Sequence, residues 1–254
     1  MRVAFLGNAP WSVPSLEALA GSSHHVALVA TRAPRPAGRG GRLTPTSVAQ
    51  EARRLDLPLA EVETVRSGDG FDLLRAAEPD VLVVVAYGEI LPAGILAVPA
   101  VGPVNVHFSL LPELRGAAPV QRALLEGMRV TGVTTMRMDE GMDTGPILLQ
   151  SEEAVRDDDD AGSLGSRLAE LGGGLLVETL GRLESGDLAE RPQDHALATY
   201  APKVRPEERI IAWDRPAESI VRQVRAFAPS PGASTSFRGR GLKVLRVGPV
   251  EGGS

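Results

Sequence analysis

The chain has 254 residues, 43% hydrophobic and 23% charged, values of a folded domain with room for a smaller second unit and not of a disordered or fibrous protein. It contains no cysteine, which excludes disulfides, thiolate nucleophiles and cysteine-bound zinc, so a metal would need His, Asp or Glu. A net charge of −5 argues against whole-molecule attraction to nucleic acid and leaves that task to local basic patches.

The N-terminal MRVAFLGNAPWSV carries one arginine and a short apolar run that closes at Gly7. A signal peptide would run on to a small-residue cleavage site, so the run reads as a buried strand. No stretch reaches the roughly 18 consecutive apolar residues of a membrane helix. The expectation is a cytoplasmic protein without a membrane partner.

In chain order, apolar runs suited to strands buried on both faces lie at Arg2–Leu6, Val26–Thr31, Asp80–Ala86 and Pro103–Phe108. Helices are expected between them at Pro14–Ala20, Ser47–Leu55 and Phe71–Ala77. This alternation predicts an α/β fold with an open, mostly parallel, Rossmann-like sheet that binds its ligands at the carboxyl ends of the strands. The pattern continues with a helix at Pro119–Glu126, strands at Gly132–Met138 and Ile147–Val155, and a long helix at Ser163–Leu183.

These elements give a catalytic domain over 1–184. Residues 185–206 are polar, proline-bearing and without period, which reads as a linker. A small C-terminal unit over 207–254 follows, with a helix within Trp213–Phe227 and β-like segments ASTSFR and LKVLRV.

Chemistry concentrates in VNVHFSLLPELRG. Asn105 and His107 are two apart on a strand and share a face, while Val104, Val106 and Phe108 occupy the other. Two polar groups at one strand end are either a satisfied core pair or an amide and an imidazole aimed at an oxygen that gains charge. Downstream, Asp139, Glu140 and Asp143 surround Gly141 between two strands. They form either a solvated acidic turn or the source of one carboxylate that orients His107 and carries a proton. The run Asp157–Asp160 reads as an acidic approach to the next helix, favoured by its dipole, and not as a metal site. There is no G-x-G-x-x-G after the first strand and no P-loop.

The linked segments N-V-H-x-S-L-L-P, R-G-A-A-P-V-Q, T-G-V-T and M-D-x-G-M-D-T-G-P resemble the active-site text of the folate-dependent formyltransferases, and among them the methionyl-tRNA formyltransferases. The resemblance runs from Arg2 to about Val247. It implies the formyltransferase fold, 10-formyltetrahydrofolate as formyl donor and no metal. It also implies Asn105, His107 and Asp143 as the catalytic set, with Ser109, Leu110, Leu111, Pro112 and the Tyr87-Gly88 loop beside the folate.

For the acceptor, the segment Arg32–Ser47 places Arg32, Arg35, Arg39 and Arg42 among glycines and prolines. It reads either as a flexible solvated loop or as one that orders on phosphates. Its R-P-A-G-R-G-x-x-L-x-P-T-x-V text resembles the insertion with which the family enters the tRNA acceptor arm. Arg35, Arg39 and Arg42, with Lys203 of the Y-A-P-K segment, are therefore implied as contacts to initiator methionyl-tRNA, and a monomer is expected.

Two departures bear on that acceptor. Glu113 stands where the family commonly has a basic residue, and the C-terminal OB-type β-barrel is expected to be shortened to about half. An amino sugar nucleotide or another small amine as acceptor, and a non-catalytic tRNA-binding paralogue, are the alternative readings.

Overall fold

The computed structural model describes residues 1–37 and 41–248. Its centre is a seven-stranded sheet in the order β5-β2-β1-β6-β7-β8-β9. The strands are β1 (Arg2–Gly7), β2 (His25–Arg32), β5 (Leu59–Val62), β6 (Val81–Val85), β7 (Gly102–His107), β8 (Val130–Arg137) and β9 (Ile147–Ala154). From β5 to β7 all neighbours are parallel, and β8 and β9 continue the sheet antiparallel.

Strands apolar at every position are buried on both sides. Val3, Phe5, Val81, Val83, Val85, Val104 and Val106 join one core with helices α1 (Val13–Ala20) and α6 (Ala161–Ser185). Ala4, Leu6, Leu82 and Val84 join the other core, under α3 (Asp69–Ala76) and α4 (Ala93–Leu96). Helix α2 (Ser47–Arg54) covers the β2–β5 side and is capped by Thr46, whose hydroxyl accepts from Ala49 N.

Helix α6 approaches the sheet closely because glycines face it. A Cβ on Gly172 would lie 3.0 Å from Val106, and one on Gly165 would lie 2.2 Å from the Trp11 ring. Trp11 in turn meets Phe108 edge to face at 6.1 Å. Asp160 caps α6 by accepting from Ser163 N, and the neighbouring Asp159 pairs with Arg167. The acidic run thus serves the helix start, as its sequence suggests. Among the described residues, no group of three His, Cys, Asp or Glu could hold a metal, and no helix is long and apolar enough to cross a membrane.

The predicted elements agree with those observed to within a few residues, and β5 and α4 are additions. The segment between β2 and α2 needs correction. Arg32 closes β2, and β3 (Arg35–Ala37) pairs antiparallel with β4 (Arg42–Thr44), so Arg35 and Arg42 sit on paired strands and not in a structureless loop. Extended Pro36 and the strand-favouring pair Leu43-Thr44 support it. Arg39 lies outside the described residues.

Residues 185–206 connect α6 to the C-terminal helix α7 (Ala217–Phe227), but they are not a free tether. Arg191 exchanges both backbone hydrogen bonds with Ile147, and Ala201 N donates to the Arg115 carbonyl at 2.7 Å. Helix α7 is held to the main body by Arg225, whose guanidinium donates to the carbonyls of Asp159 and Arg156. After it, β10 (Ala233–Phe237) and β11 (Arg240–Val244) form an antiparallel hairpin, the expected opening strands of the C-terminal unit.

Candidate active site

Strand β7 sets the site. Val104 and Val106 face the α6 core, so period-2 alternation turns Asn105 and His107 to the opposite face. Helices α3 and α4 cover that face over β1 and β6. Beside β7 it is covered instead by the β8–β9 loop and the 185–206 segment.

The β8–β9 loop leaves the sheet where Met138 N bonds the Pro103 carbonyl, at the start of β7, and folds back along the strand. Asp139 stabilises the turn by accepting from Gly141 N at 3.0 Å and Thr144 Oγ1 at 2.7 Å. Asp143, in the left-handed region at φ +55°, then arrives over the two polar side chains. Asn105 Nδ2 lies 3.4 Å from Asp143 Oδ1, and His107 Nδ1 lies 3.8 Å from Asp143 Oδ2. Gly116 N donates to the same Oδ2 at 2.8 Å. Gly116 has φ +116°, and a Cβ there would stand 2.9 Å from the Ala201 carbonyl, so only glycine allows this approach.

His107 Nε2 is 2.9 Å from the Leu114 carbonyl. A carbonyl only accepts, so Nε2 carries the proton and Nδ1 is the nitrogen that faces Asp143.

The loop after β7 is fastened beneath the site. Thr134 Oγ1 donates to the Ser109 carbonyl at 2.7 Å and accepts from Leu111 N at 3.0 Å, while Gln150 donates to the Leu111 carbonyl at 2.8 Å. Ser109 Oγ is engaged by the Glu113 carbonyl, and Leu111 is buried with Met136 and Ile147. Of the four residues implied beside the folate, Leu110 and Pro112 keep partial exposure.

At the end of β6, Tyr87 is buried, and burial, then the nearby Glu89 charge, push its phenol up to about 12. It is therefore a neutral donor at ordinary pH. Gly88 is exposed at φ +83° with open space where a Cβ would be. Asn8 fixes this corner. Its amide donates to the Tyr87 carbonyl, and its oxygen accepts from Thr31 Oγ1 at 2.9 Å and Arg32 N at 2.8 Å, tying the ends of β1, β2 and β6 together. Arg35, Arg42 and Lys203 are exposed, and Arg35 lies 3.6 Å from Glu63.

Arg115 is 2% exposed and turned inward. It donates to Gln193 Oε1 at 3.0 and 2.6 Å and to His195 Nδ1 at 3.2 Å, so it offers no phosphate contact. Asn8, Thr134, Gln150 and Gln193 escape notice in the sequence. Asn8 alone carries a signal, a polar residue directly after the first buried strand.

A family model described as formyl transferase matches residues 1–180, and one described as formyl transferase, C-terminal domain, matches 203–254. The methionyl-tRNA formyltransferase of Pelotomaculum thermopropionicum is 44% identical over 251 residues, covering 99% of this chain and 80% of that one. That of Koribacter versatilis is 46% identical, covering 98% and 80%. The chain belongs to the methionyl-tRNA formyltransferase family.

Other solved structures show the fold. The methionyl-tRNA formyltransferase from Clostridium thermocellum superposes with a TM-score of 0.69 at 15% identity, covering 100% of this chain and 95% of that one. An N-formyltransferase from Helicobacter canadensis superposes at 0.70 and 18% identity, covering 96% and 86%. As a methionyl-tRNA formyltransferase family member, the chain carries Asn105, His107 and Asp143 in one cluster on the face of β7 that the β8–β9 loop overlies.

Proposed function

We propose that this chain moves the formyl group of 10-formyltetrahydrofolate to the α-amine of initiator methionyl-tRNA, through Asn105, His107 and Asp143. The observation that carries the reading is the meeting of an amide, an imidazole and a carboxylate within 3.4–3.8 Å on β7, whose neighbour β6 runs on to an open backbone corner at Gly88. A carboxylate next to an amide and an imidazole suits attack by an amine on an acyl carbon. It accepts the proton that the amine sheds, while the donors meet charge on the oxygen.

The folate supplies the formyl group. Exposed Gly88 leaves room along its backbone for a flat ring, and Leu110 and Pro112 offer apolar contact from the opposite loop. Asn105 Nδ2 and the protonated His107 ring donate to the formyl oxygen as negative charge builds there. Asp143 takes the proton from the attacking nitrogen, directly or through a water, and the folate nitrogen leaves with the carbon–nitrogen electron pair and takes up that proton, so that the carboxylate is restored.

On the acceptor side, Arg35 and Arg42 on the β3–β4 hairpin, Arg39 between them and Lys203 after the connecting segment contact tRNA phosphates. All three catalytic groups lie within one fold, so the chemistry calls for no residue of a second copy. A charged tRNA as acceptor supports a cytoplasmic site of action.

The test is incubation with 10-formyltetrahydrofolate and three acceptors: charged initiator tRNA, uncharged tRNA and an amino sugar nucleotide. Formylation of the charged tRNA alone is expected. Formylation of the sugar amine alone would sink the tRNA reading, and no transfer to any acceptor would favour a non-catalytic paralogue.

A further inference from the structure

The Gln193 side chain bridges two segments that must keep register for the site to exist. It is buried, and its Nε2 donates to the Asp143 carbonyl at 2.9 Å and to the Gly145 carbonyl at 2.7 Å. Its Oε1 accepts from Arg115 Nε at 3.0 Å and Nη2 at 2.6 Å. Two carbonyls on one side and a guanidinium on the other permit one amide orientation only. Buried Arg115 is costly without acceptors, so it holds Oε1 in place and thereby aims both N–H groups at the loop. Arg115 is itself positioned by the same segment, since its N donates to the Thr199 carbonyl at 2.9 Å.

Among the described residues no other group holds the Asp143 carbonyl, and Asp143 sits at φ +55°, a conformation that costs free energy in a non-glycine residue unless its surroundings impose it. We infer that Gln193 is a positioning residue for the transfer step: from the 185–206 segment it clamps the backbone of Asp143 so that the carboxylate stays over Asn105 and His107. This rests on the proposed role of Asp143 in taking the amine proton.

Two variants separate positioning from mere structure. Gln193→Glu keeps an oxygen for Arg115 and removes both donors to the loop, whereas Gln193→Leu removes everything. The glutamate variant keeps a partner for the guanidinium but sets an acceptor against two carbonyls, so its thermal midpoint should fall by less than that of Gln193→Leu, which also leaves Arg115 unpaired. The glutamate variant's kcat should fall about 10- to 100-fold, as expected when a catalytic group is misplaced by roughly an ångström, with KM for folate and for tRNA each within about two-fold of wild type.

Hydrogen exchange of residues 139–146 should quicken in both variants, a readout that needs no acceptor. Wild-type kcat in Gln193→Glu, or unchanged exchange in that loop in either variant, would overturn the inference. If wild-type protein formylates no charged tRNA, the functional reading fails, and the exchange measurement still decides the clamp.

Discussion

His107 presents Nδ1 to Asp143 Oδ2 at 3.8 Å because its other nitrogen is anchored on the Leu114 carbonyl at 2.9 Å. The gap exceeds a hydrogen bond, so Nδ1 is not tied to Asp143 and is the nitrogen left to donate to the formyl oxygen when the ring carries a second proton. Asp143→Asn retains an oxygen for Gly116 N and loses the base, so kcat should drop by about 10²- to 10⁴-fold with the thermal midpoint preserved. His107→Ala should lose most turnover as well. Single-turnover formylation rates check both, and near-normal rates in either variant would show the assignment to be wrong.

Arg35 and Arg42 are exposed on the β3–β4 hairpin, and the ion pair of Arg35 with Glu63 at 3.6 Å is a surface interaction of little worth to stability. Replacing both arginines with glutamine should raise KM for charged tRNA and lower the salt slope of tRNA binding by about 1 for each phosphate left without its arginine. Folate binding should be unchanged. Filter binding across a salt series, with folate titration in parallel, measures this, and equal weakening of both ligands would make the hairpin a structural element only.

Acid should loosen the joint between α6 and β9. Burial disfavours the Asp159 charge, yet hydrogen bonds from Arg167, Arg156 N and Ser163 prevail and hold the carboxyl down at about 2. A carboxyl lowered on folding stabilises above its unfolded value, near 3.8, and loses that contribution as pH falls towards 2. The difference is worth roughly 2 kcal/mol. Asp159→Asn should therefore be less stable than wild type at neutral pH by about that amount, and the gap should narrow between pH 4 and pH 2 in denaturant titrations.

Helix α6 offers a paired test of packing. Alanine at Gly165 would place its Cβ 2.2 Å from the Trp11 ring, whereas alanine at Gly174 meets open space. Gly165→Ala should destabilise by about 1–3 kcal/mol through overpacking, and Gly174→Ala should stabilise by about 0.4–1 kcal/mol. Urea unfolding of the two proteins tests the contrast, which fails if both move the midpoint the same way.

The sheet was legible because the central strands carry long apolar runs, and Asn105 and His107 stood out as polar interruptions of that pattern. Asp143 was harder. Its acidic turn looks solvated when read residue by residue, and nothing local reveals that the loop doubles back along β7. That path is set by partners distant in sequence, from Pro103, Gly116 and Gln193. The hairpin at Arg35–Thr44 was obscured by glycine and proline, which signal turns more strongly than three-residue strands signal pairing. Gln193 lay hidden for a related reason. Its segment has no period because it forms single bridges, Arg191 to the start of β9 and Tyr200 to Arg115 in the loop after β7, and makes no strand of its own.

The bridging segment also bears on how such proteins can be recombined. The two family models leave residues 181–202 between them, which invites a splice directly after α6. A graft made there would import a foreign Gln193, Thr199 and Ala201, and with them a foreign seat for Arg115 and Asp143. Chimaeras that exchange C-terminal units should instead be joined beyond Ala201, so that each catalytic domain keeps the strip of chain its active site was folded against.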